Sequence, residues 1–260
     1  FDPHYNPFDT SKDTSFRADY PTHWDWRDVD GQDYVGDIRD QLNCGSCYSF
    51  GGVASMEARL RVKSANKDKI YLATQDVVSC SPYSEGCDGG FAYNVGKYAH
   101  DYGIVSLNNF AYQPPFSGVP CSNKHIDPEH TYYAQDYYYV GGYYGATDEQ
   151  SMMEEIYTNG PVAVAVSVSD DFVTYGGQEG KGGIFIEAPV VDDDGFVTTD
   201  HVITCVGWGE DNGVPYWIVR NSWGRHWGND GGIEGQGGYM YVHRGSDTIG
   251  IESCTTAYTM

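Results

Sequence analysis

Two closely spaced cysteines precede the longest helical pattern in the chain, within the segment QLNCGSCY at positions 41–48. Apolar residues recur at helical spacing from Tyr48 to Lys63, so Cys47 is expected at the amino end of a helix. Unpartnered backbone N–H groups and the positive end of the helix dipole favour a thiolate over a thiol at that place. Because the thiolate is the nucleophilic form, the pattern predicts a reactive cysteine at position 47.

A thiolate that attacks a carbonyl group also needs an acid–base partner and an oxyanion binder. His201 begins one predicted strand, and Asn221 ends another 20 residues later. The two side chains could therefore lie side by side between two parts of the fold. An asparagine amide can orient an imidazole as the carboxylate does in serine triads. The three residues together predict nucleophilic catalysis.

Each of these features also has an ordinary structural explanation. A single CxxC occurs in zinc sites and in redox proteins. A lone histidine such as His201 is more often structural or on the surface, and an asparagine such as Asn221 is more often part of a turn. Only the combination of the three residues favours catalysis.

The charge balance excludes several classes of protein. The 260-residue chain has 15 Lys and Arg against 37 Asp and Glu, a formal net charge of −22. Because nucleic-acid binding needs clustered cations, no nucleic-acid partner is expected. No apolar run approaches the roughly 20 residues that span a bilayer, so no membrane span is predicted. The acidic run at 192–194 is expected in a solvated loop, and no metal site is predicted.

The first half of the chain has helical periodicity, and the second half has short β-branched and aromatic runs. Helices are predicted over Tyr48–Lys63, Thr74–Cys80, Tyr93–Asp101 and Glu149–Thr158, and strands over Val162–Val168, Gly183–Ile186, His201–Trp208, Pro215–Trp223 and Tyr239–Arg244. This order predicts an α+β fold of two packed lobes with a cleft between them. We expect an extended leader or propeptide remnant over 1–20 and one domain over 21–260. Its helical lobe is expected mainly at 40–130 and its strand-rich lobe mainly at 131–260.

Five features follow one another in the order typical of one peptidase family. They are Gln41, CGSCYSF at 44–50, GCDGG at 86–90, DHVITCVGWG at 200–209 and NSWGRHWG at 221–228. The chain resembles papain-family cysteine peptidases from about Trp24 to about Ser253. The resemblance implies a papain-like fold, with a helical N-terminal lobe and a β-barrel-like C-terminal lobe on either side of the active-site cleft. Tyr48 and YVGGYYG at 139–145 resemble the branch that removes N-terminal dipeptides.

The family's catalytic roles carry over to matching positions. The resemblance implies that Cys47 is the nucleophile and that His201 is its partner in a thiolate–imidazolium pair. Asn221 would hold the imidazole ring, and Trp223 would shield that hydrogen bond and border the substrate. Gln41 would bind the oxyanion together with the backbone N–H of Cys47.

The resemblance also implies which residues border the substrate. Gly45, Gly89 and Gly90 would allow close approach of an extended peptide backbone, since they carry no side chain. Phe91 would line the same groove, and Cys254 matches the position at the floor of the S2 specificity pocket.

An anion site is implied next to that pocket. Phe91, Tyr93 and Tyr139 match residues that contact a chloride ion in the dipeptide-removing relatives. Backbone N–H groups and a phenol O–H can hold an anion without a cation. The alternative is that these three aromatic residues are simply part of the core and bind no ion. Apart from a possible chloride, no cofactor is expected.

The seven cysteines form an odd set, which suggests pairs and one working thiol. The resemblance implies the disulfides Cys44–Cys87 and Cys80–Cys121, with Cys47 free. Cys205 lies in the apolar run VITCVGW and is expected to be a buried small hydrophobe. A Cys205–Cys254 bridge is the disfavoured alternative, because the pocket position should face ligand.

The expected function is removal of N-terminal dipeptides in a lysosome-like or secreted compartment. It depends on an exclusion domain, which is either a separate chain after processing or missing, and a homo-oligomer is possible. The alternatives are an endopeptidase that shares this sequence pattern, or a structural or interaction subunit that retains the fold.

Overall fold

The computed structural model describes residues 20–113, 118–176, 183–229 and 237–260. The leader predicted over 1–20 lies outside these ranges except for Tyr20. Within them, the helices are α1 (Cys47–Lys63), α2 (Thr74–Cys80), α3 (Ala92–Tyr102), α4 (Glu149–Asn159) and α5 (Asp170–Val173). None of these helices is long and apolar enough to cross a membrane.

Nine strands are assigned within the same ranges. They are β1 (Trp24–Asp25), β2 (Ile104–Val105), β3 (Thr131–Tyr132), β4 (Asp136–Tyr139), β5 (Val162–Val166), β6 (His201–Asp211), β7 (Val214–Arg220), β8 (Tyr239–His243) and β9 (Thr255–Thr259). The α+β class and the four predicted helices are confirmed. The strand predicted over Gly183–Ile186 is wrong, because only Phe185 makes a single bridge there, to Val242.

Seven of the strands form one antiparallel sheet in the order β4-β9-β5-β6-β7-β8, with β1 paired to β6. The sheet is open, so the barrel-like lobe implied by the resemblance is wrong for the described residues. A bridge at Phe185 covers part of the β8 edge, which protects unpaired backbone groups there. Tyr137 of β4 lies against Gly96 of α3, and Phe185 bridges to β8.

Helix α1 is buried on nearly every side, although its sequence suggests a single apolar face. Its buried polar side chains bond to other segments: the Ser55 hydroxyl donates to the Pro161 carbonyl over 2.7 Å, and Arg59 donates to the same oxygen over 2.8 Å. A Cβ on Gly51 would lie 2.8 Å from Val202, so glycine is needed where the helix crosses β6. This contact brings the amino end of α1 to the start of β6.

Two apolar cores lie on the two sides of this helix–sheet contact. One joins the sheet to α4 and includes Trp26, Ile156 and Trp217. The other joins α1 and α3 to β9 and includes Met56 and Tyr258. Each core thus contains residues of the sheet and of at least one helix, so burial of both cores holds the helices against the sheet.

Candidate active site

Cys47 is the first residue of α1, and the loop before it is firmly held. The structure joins Cys44 to Cys87 by a disulfide, and the Gly45 N–H donates to the Cys87 carbonyl over 2.9 Å. No side chain caps this helix end, so backbone N–H groups of its first turn stay available at the thiol. Burial raises the pKa of the Cys47 thiol, and the backbone N–H of Val202 opposes that rise.

His201 lies at the first position of β6 and is only 5% exposed. Its Nε2 lies 2.8 Å from the Asn221 Oδ1, which also accepts the backbone N–H of Ser222 over 2.8 Å. Because a backbone N–H can only donate, the oxygen of the Asn221 amide is identified, and His201 donates from Nε2. Burial lowers the pKa of His201, and the bond to Asn221 raises it.

Aromatic rings shield this hydrogen bond from water. The Trp223 ring lies over His201, with centroids 4.9 Å apart and planes at 35°. Phe172 meets both rings edge-on, at 6.0 Å from His201 and 5.4 Å from Trp223. Trp227 lies 5.3 Å from Trp223. Only Trp223 was predicted to shield the hydrogen bond, because Phe172 lies outside every motif.

Cys47 and His201 line the same groove, whose volume is about 320 Å³. Asp200 also lines it, and its carboxylate accepts the backbone N–H of Val168 over 2.9 Å. The thiol and the imidazole therefore reach one space from two different elements, α1 and β6.

Gln41 does not line that groove in the structure. Its Nε2 donates to the Cys44 carbonyl over 2.9 Å, and its Oε1 accepts the Ser222 hydroxyl over 2.6 Å. The side chain is thus held beside the loop that carries Cys47 and next to Asn221. One hydrogen of its amide nitrogen stays available for another acceptor.

The three predicted glycines serve different purposes. A Cβ on Gly45 would meet the Cys87 carbonyl oxygen at 2.5 Å, and a Cβ on Gly90 would meet the Tyr48 ring at 2.9 Å. These two are required by the protein's own packing. Gly89 has φ +126° and open space around it, so it alone faces the groove freely.

Aromatic rings and a thiol contribute to the groove, whose lining includes Phe91, Tyr93, Tyr139 and Cys254. Tyr93 stacks on Tyr139, with centroids 4.6 Å apart and planes at 14°. Tyr144, which was not predicted as a site residue, also lines the groove and meets Tyr139 edge-on at 5.6 Å. Tyr144 belongs to the motif YVGGYYG, so the sequence did contain a signal that could have identified it.

The structure pairs Cys44 with Cys87 and Cys80 with Cys121, as the resemblance implies. Cys47, Cys205 and Cys254 are free. Cys205 is buried, whereas Cys254 reaches the groove. Among the described residues, no cluster of three or more His, Cys, Asp or Glu side chains is arranged to hold a metal ion.

Comparison with known proteins gives the class of this fold and site. Residues 20–259 match the papain family of cysteine proteases, and the chain belongs to that family. It is 40% identical over 248 residues to cathepsin C of Schistosoma mansoni, an alignment that covers 92% of this chain and 51% of that protein. The chain thus spans about half the length of this relative.

Other relatives are cathepsins of different types. Identity is 35% over 223 residues to cathepsin Z of Onchocerca volvulus, covering 82% of this chain and 69% of that protein. A solved structure of digestive procathepsin L2 from Tenebrio molitor larval midgut has a TM-score of 0.77 and 29% identity, covering 95% of this chain and 70% of that one. These similarities support the papain-like fold.

Proposed function

We propose that this cysteine peptidase acts through Cys47, His201 and Asn221, and that it releases dipeptides from free N-termini when a further chain closes one end of the groove. The observation that carries the proposal is the shared groove: Cys47 and His201 both line it, while Asn221 holds the imidazole ring. This arrangement supplies a nucleophile, a proton carrier and an orienting group.

The reaction starts from a Cys47 thiolate beside a His201 imidazolium. Because Nε2 donates to Asn221, Nδ1 is the nitrogen that exchanges a proton with the thiol. The sulfur attacks the scissile carbonyl carbon, so a C–S bond forms and the carbonyl oxygen becomes an oxyanion. His201 then gives its proton to the leaving amine as the C–N bond breaks. Water, deprotonated by His201, hydrolyses the thioester and restores the thiolate–imidazolium pair.

The oxyanion is stabilised by two N–H donors beside the nucleophile. One is the backbone N–H of Cys47, and the other is the second amide hydrogen of Gln41, whose first hydrogen bonds to Cys44. Loss of one such donor typically costs about 3–4 kcal/mol of transition-state stabilisation. The Ser222 hydroxyl holds the Gln41 oxygen, and because Gln41 is not among the described groove-lining residues, its amide has to turn toward the groove to bind the oxyanion.

Burial and local electrostatic attraction have opposite effects on the charge state of Cys47 and His201. Burial disfavours the thiolate of Cys47 and the imidazolium of His201 when each is charged alone. The amino end of α1, the Asn221 oxygen and the attraction between the two opposite charges favour the charged pair. The pair is therefore expected to gain and lose its charges together.

The dipeptide-releasing specificity rests on similarity and on the groove. Identity to cathepsin C is 40% over most of this chain, and Tyr139 and Tyr144 of the motif YVGGYYG line the groove. The group that recognises a free α-amine is proposed to come from an exclusion-domain chain that pairs with this one. The assembly could also contain several copies of this chain.

Two substrates test the specificity. One is a fluorogenic dipeptide amide with a free α-amine, and the other is its N-acetylated analogue. The assembly with its copurifying chains is expected to show at least about tenfold higher kcat/KM for the free amine. Equal or higher kcat/KM for the acetylated substrate would establish an endopeptidase instead. Cys47→Ser is the control that should cleave neither.

A structural or interaction role predicts a different outcome. In that case a thiol-directed epoxide would fail to label Cys47 in the folded wild-type chain, and no peptide would be cleaved. Labelling at Cys47, located by peptide mapping, supports the peptidase mechanism independently of the substrate preference.

A chloride ion is proposed to bind where Phe91, Tyr93 and Tyr139 line the groove. Burial raises the pKa of Tyr139 to about 12, so its phenol stays protonated and can donate. Helix α3 begins at Ala92, which offers backbone N–H groups beside Phe91 and Tyr93. The groove's described lining residues include no Lys or Arg. Tyr139→Phe is expected to weaken the chloride dependence of KM without changing Cys47 labelling.

The compartment is proposed to be lysosome-like or secreted. Two disulfides are typical of an oxidising environment. At acidic pH, partial protonation of the 37 carboxyl side chains would reduce the repulsion of a chain with net charge −22. A maximum of kcat/KM well above neutral pH would contradict the acidic compartment.

A further inference from the structure

A carboxylate lies behind the active site, inside the core. Glu57 of α1 is fully buried. Its Oε1 accepts the backbone N–H of Leu72 over 2.6 Å and pairs with Arg39 over 2.5 Å. Its Oε2 is buried and has no hydrogen-bond partner among the described residues. An unpartnered charged oxygen at such depth is costly, so it needs a donor.

The side-chain amide of Asn221 has a buried donor without an acceptor, whereas Glu57 has a buried acceptor without a donor. Its Oδ1 is occupied by His201 and by the Ser222 N–H, which sets the orientation of the amide. Its Nδ2 is buried and also lacks an acceptor in the described part of the chain. One buried acceptor, on Glu57, and one buried donor, on Asn221, thus lack a hydrogen-bond partner among the described residues.

A small internal cavity connects the two. Glu57 and Asn221 both line it, together with Arg39, Arg220 and apolar groups such as Phe50 and Ala54. Its volume is about 10 Å³, which is at the lower limit of about 10–15 Å³ that a cavity needs to hold one water molecule. Water can donate to a carboxylate and accept from an amide at the same time, as these two groups require.

We propose that one buried water bridges Glu57 Oε2 and Asn221 Nδ2, and that Glu57 is thereby a positioning residue for the catalytic histidine. The inference rests on the proposed catalytic roles of His201 and Asn221. The water donates one hydrogen to the carboxylate and accepts one from the amide. The sequence of bonds runs from Glu57 through water and Asn221 to the Nε2–H of His201.

The chain of bonds has an electronic consequence. A negative charge at Glu57 polarises the Asn221 amide and makes its oxygen a stronger acceptor for His201. This stabilises the imidazolium form, as the aspartate of a serine triad does directly. Arg39 and Arg220 partly neutralise Glu57, and Asp200 and Cys47 are the other titratable groups facing His201.

Glu57→Gln tests the role of the charge. The amide keeps the size of the side chain, but it can place a donor where the water needs an acceptor. The alkaline limb of the pH profile of kcat/KM is expected to move about one unit lower, because the imidazolium loses support. At pH 8 this corresponds to a fall of about tenfold, in the range typical of lost outer-shell partners.

The matched control is Glu155→Gln. Glu155 of α4 also pairs with an arginine of α1, since Arg59 lies 2.8 Å from it, and it lines neither the groove nor the cavity. This variant should keep the wild-type pH profile. A folded Glu57→Gln chain with an unchanged alkaline limb would overturn the inference, whereas an inactive wild-type chain would contradict the proposed function instead.

Two further measurements decide the matter if Glu57→Gln does not fold. Ala54→Val fills the cavity without changing any charge, and it should produce the same shift of the alkaline limb. A high-resolution crystal structure of the wild-type chain should show density within hydrogen-bonding distance of both Glu57 Oε2 and Asn221 Nδ2. A dry cavity there would disprove the water bridge.

Discussion

His201 Nε2 and Asn221 Oδ1 are 2.8 Å apart although 20 residues separate them in the chain. The pairing of β6 with β7 explains the distance, because Thr204 lies opposite Arg220 in the register. Asn221 follows directly after β7, and His201 begins β6. The hydrogen bond is therefore built on two adjacent strands, which limits the movement of the imidazole.

Removing the Asn221 amide should release the imidazole ring. Asn221→Ala is expected to lower kcat/KM by about 100-fold, since positioned acid–base transfer contributes typically 10²–10⁴-fold. The control is Asn94→Ala, which removes an amide that donates to the Tyr83 carbonyl over 2.8 Å and lies outside the groove lining. Wild-type kcat/KM in a folded Asn221→Ala chain would contradict the assigned role.

Thiol labelling should separate the three free cysteines. Burial raises the pKa of Cys254 to about 11, and burial also raises the pKa of Cys205 far above its usual value. Iodoacetamide at pH 6 is therefore expected to modify Cys47 through its pair with His201, while the other two stay as unreactive thiols. Peptide mapping by mass spectrometry gives the site.

His201→Ala provides the control for this labelling. Without the imidazolium, the Cys47 thiol keeps the pKa that burial raises, so its labelling should require alkaline pH. Undiminished labelling of this variant at pH 6, or equal labelling of Cys254 in the wild type, would argue against the ion pair.

A buried carboxylate should hold α2 to the rest of the helical core. Asp76 is fully buried and binds Tyr98 over 2.7 Å, Lys124 over 2.9 Å and the Val105 N–H over 2.9 Å. Asp76→Asn is expected to cost about 3 kcal/mol in the free energy of unfolding, because Lys124 then lacks its counter-charge. Urea denaturation measures this cost.

A double variant shows whether loss of the Asp76–Lys124 ion pair causes the loss of stability. Asp76→Asn combined with Lys124→Met should cost less than the sum of the two single changes, since no unpaired charge remains. Strict additivity would mean that Asp76 acts through its other two hydrogen bonds.

Stability should depend on pH through Asp247. Burial raises the pKa of its carboxyl group, and the bonds from Ser253 and from the Glu252 N–H oppose the rise. A raised native pKa means that stability is present below the unfolded value and is lost as pH rises through the native one. The charged form therefore weakens the fold at neutral pH.

Asp247→Asn removes that charge and suits the local backbone. Asn tolerates the left-handed conformation found at this position, where φ is 50°. The Tm at pH 7 is expected to rise by about 1–3 °C, with no gain at pH 3, where the carboxyl is protonated in both states. A thermal scan at the two pH values measures the difference. An equal gain at both values would point to a backbone effect instead.

Local patterns explain why most helices could be predicted. The spacing of apolar residues in Tyr48–Lys63 and the stop after Asn159 act within one segment, and α1 and α4 follow them closely. Strands β4 and β9 were missed because each is short and gains its stability from a partner distant in the chain. That the sheet stays open could not be predicted either, because it depends on contacts between segments distant in the chain.

The residues proposed for the active site were predicted from the types and order of side chains in the motifs, since this chemistry requires a thiol, an imidazole and an amide. Their arrangement was decided by packing. Gly51 allows α1 to touch β6, the register of β6 with β7 brings Asn221 to His201, and the fold places Glu57 beside the same amide. Residue types determine which reactions are available, whereas distances between segments far apart in sequence exist only once the core has closed around them.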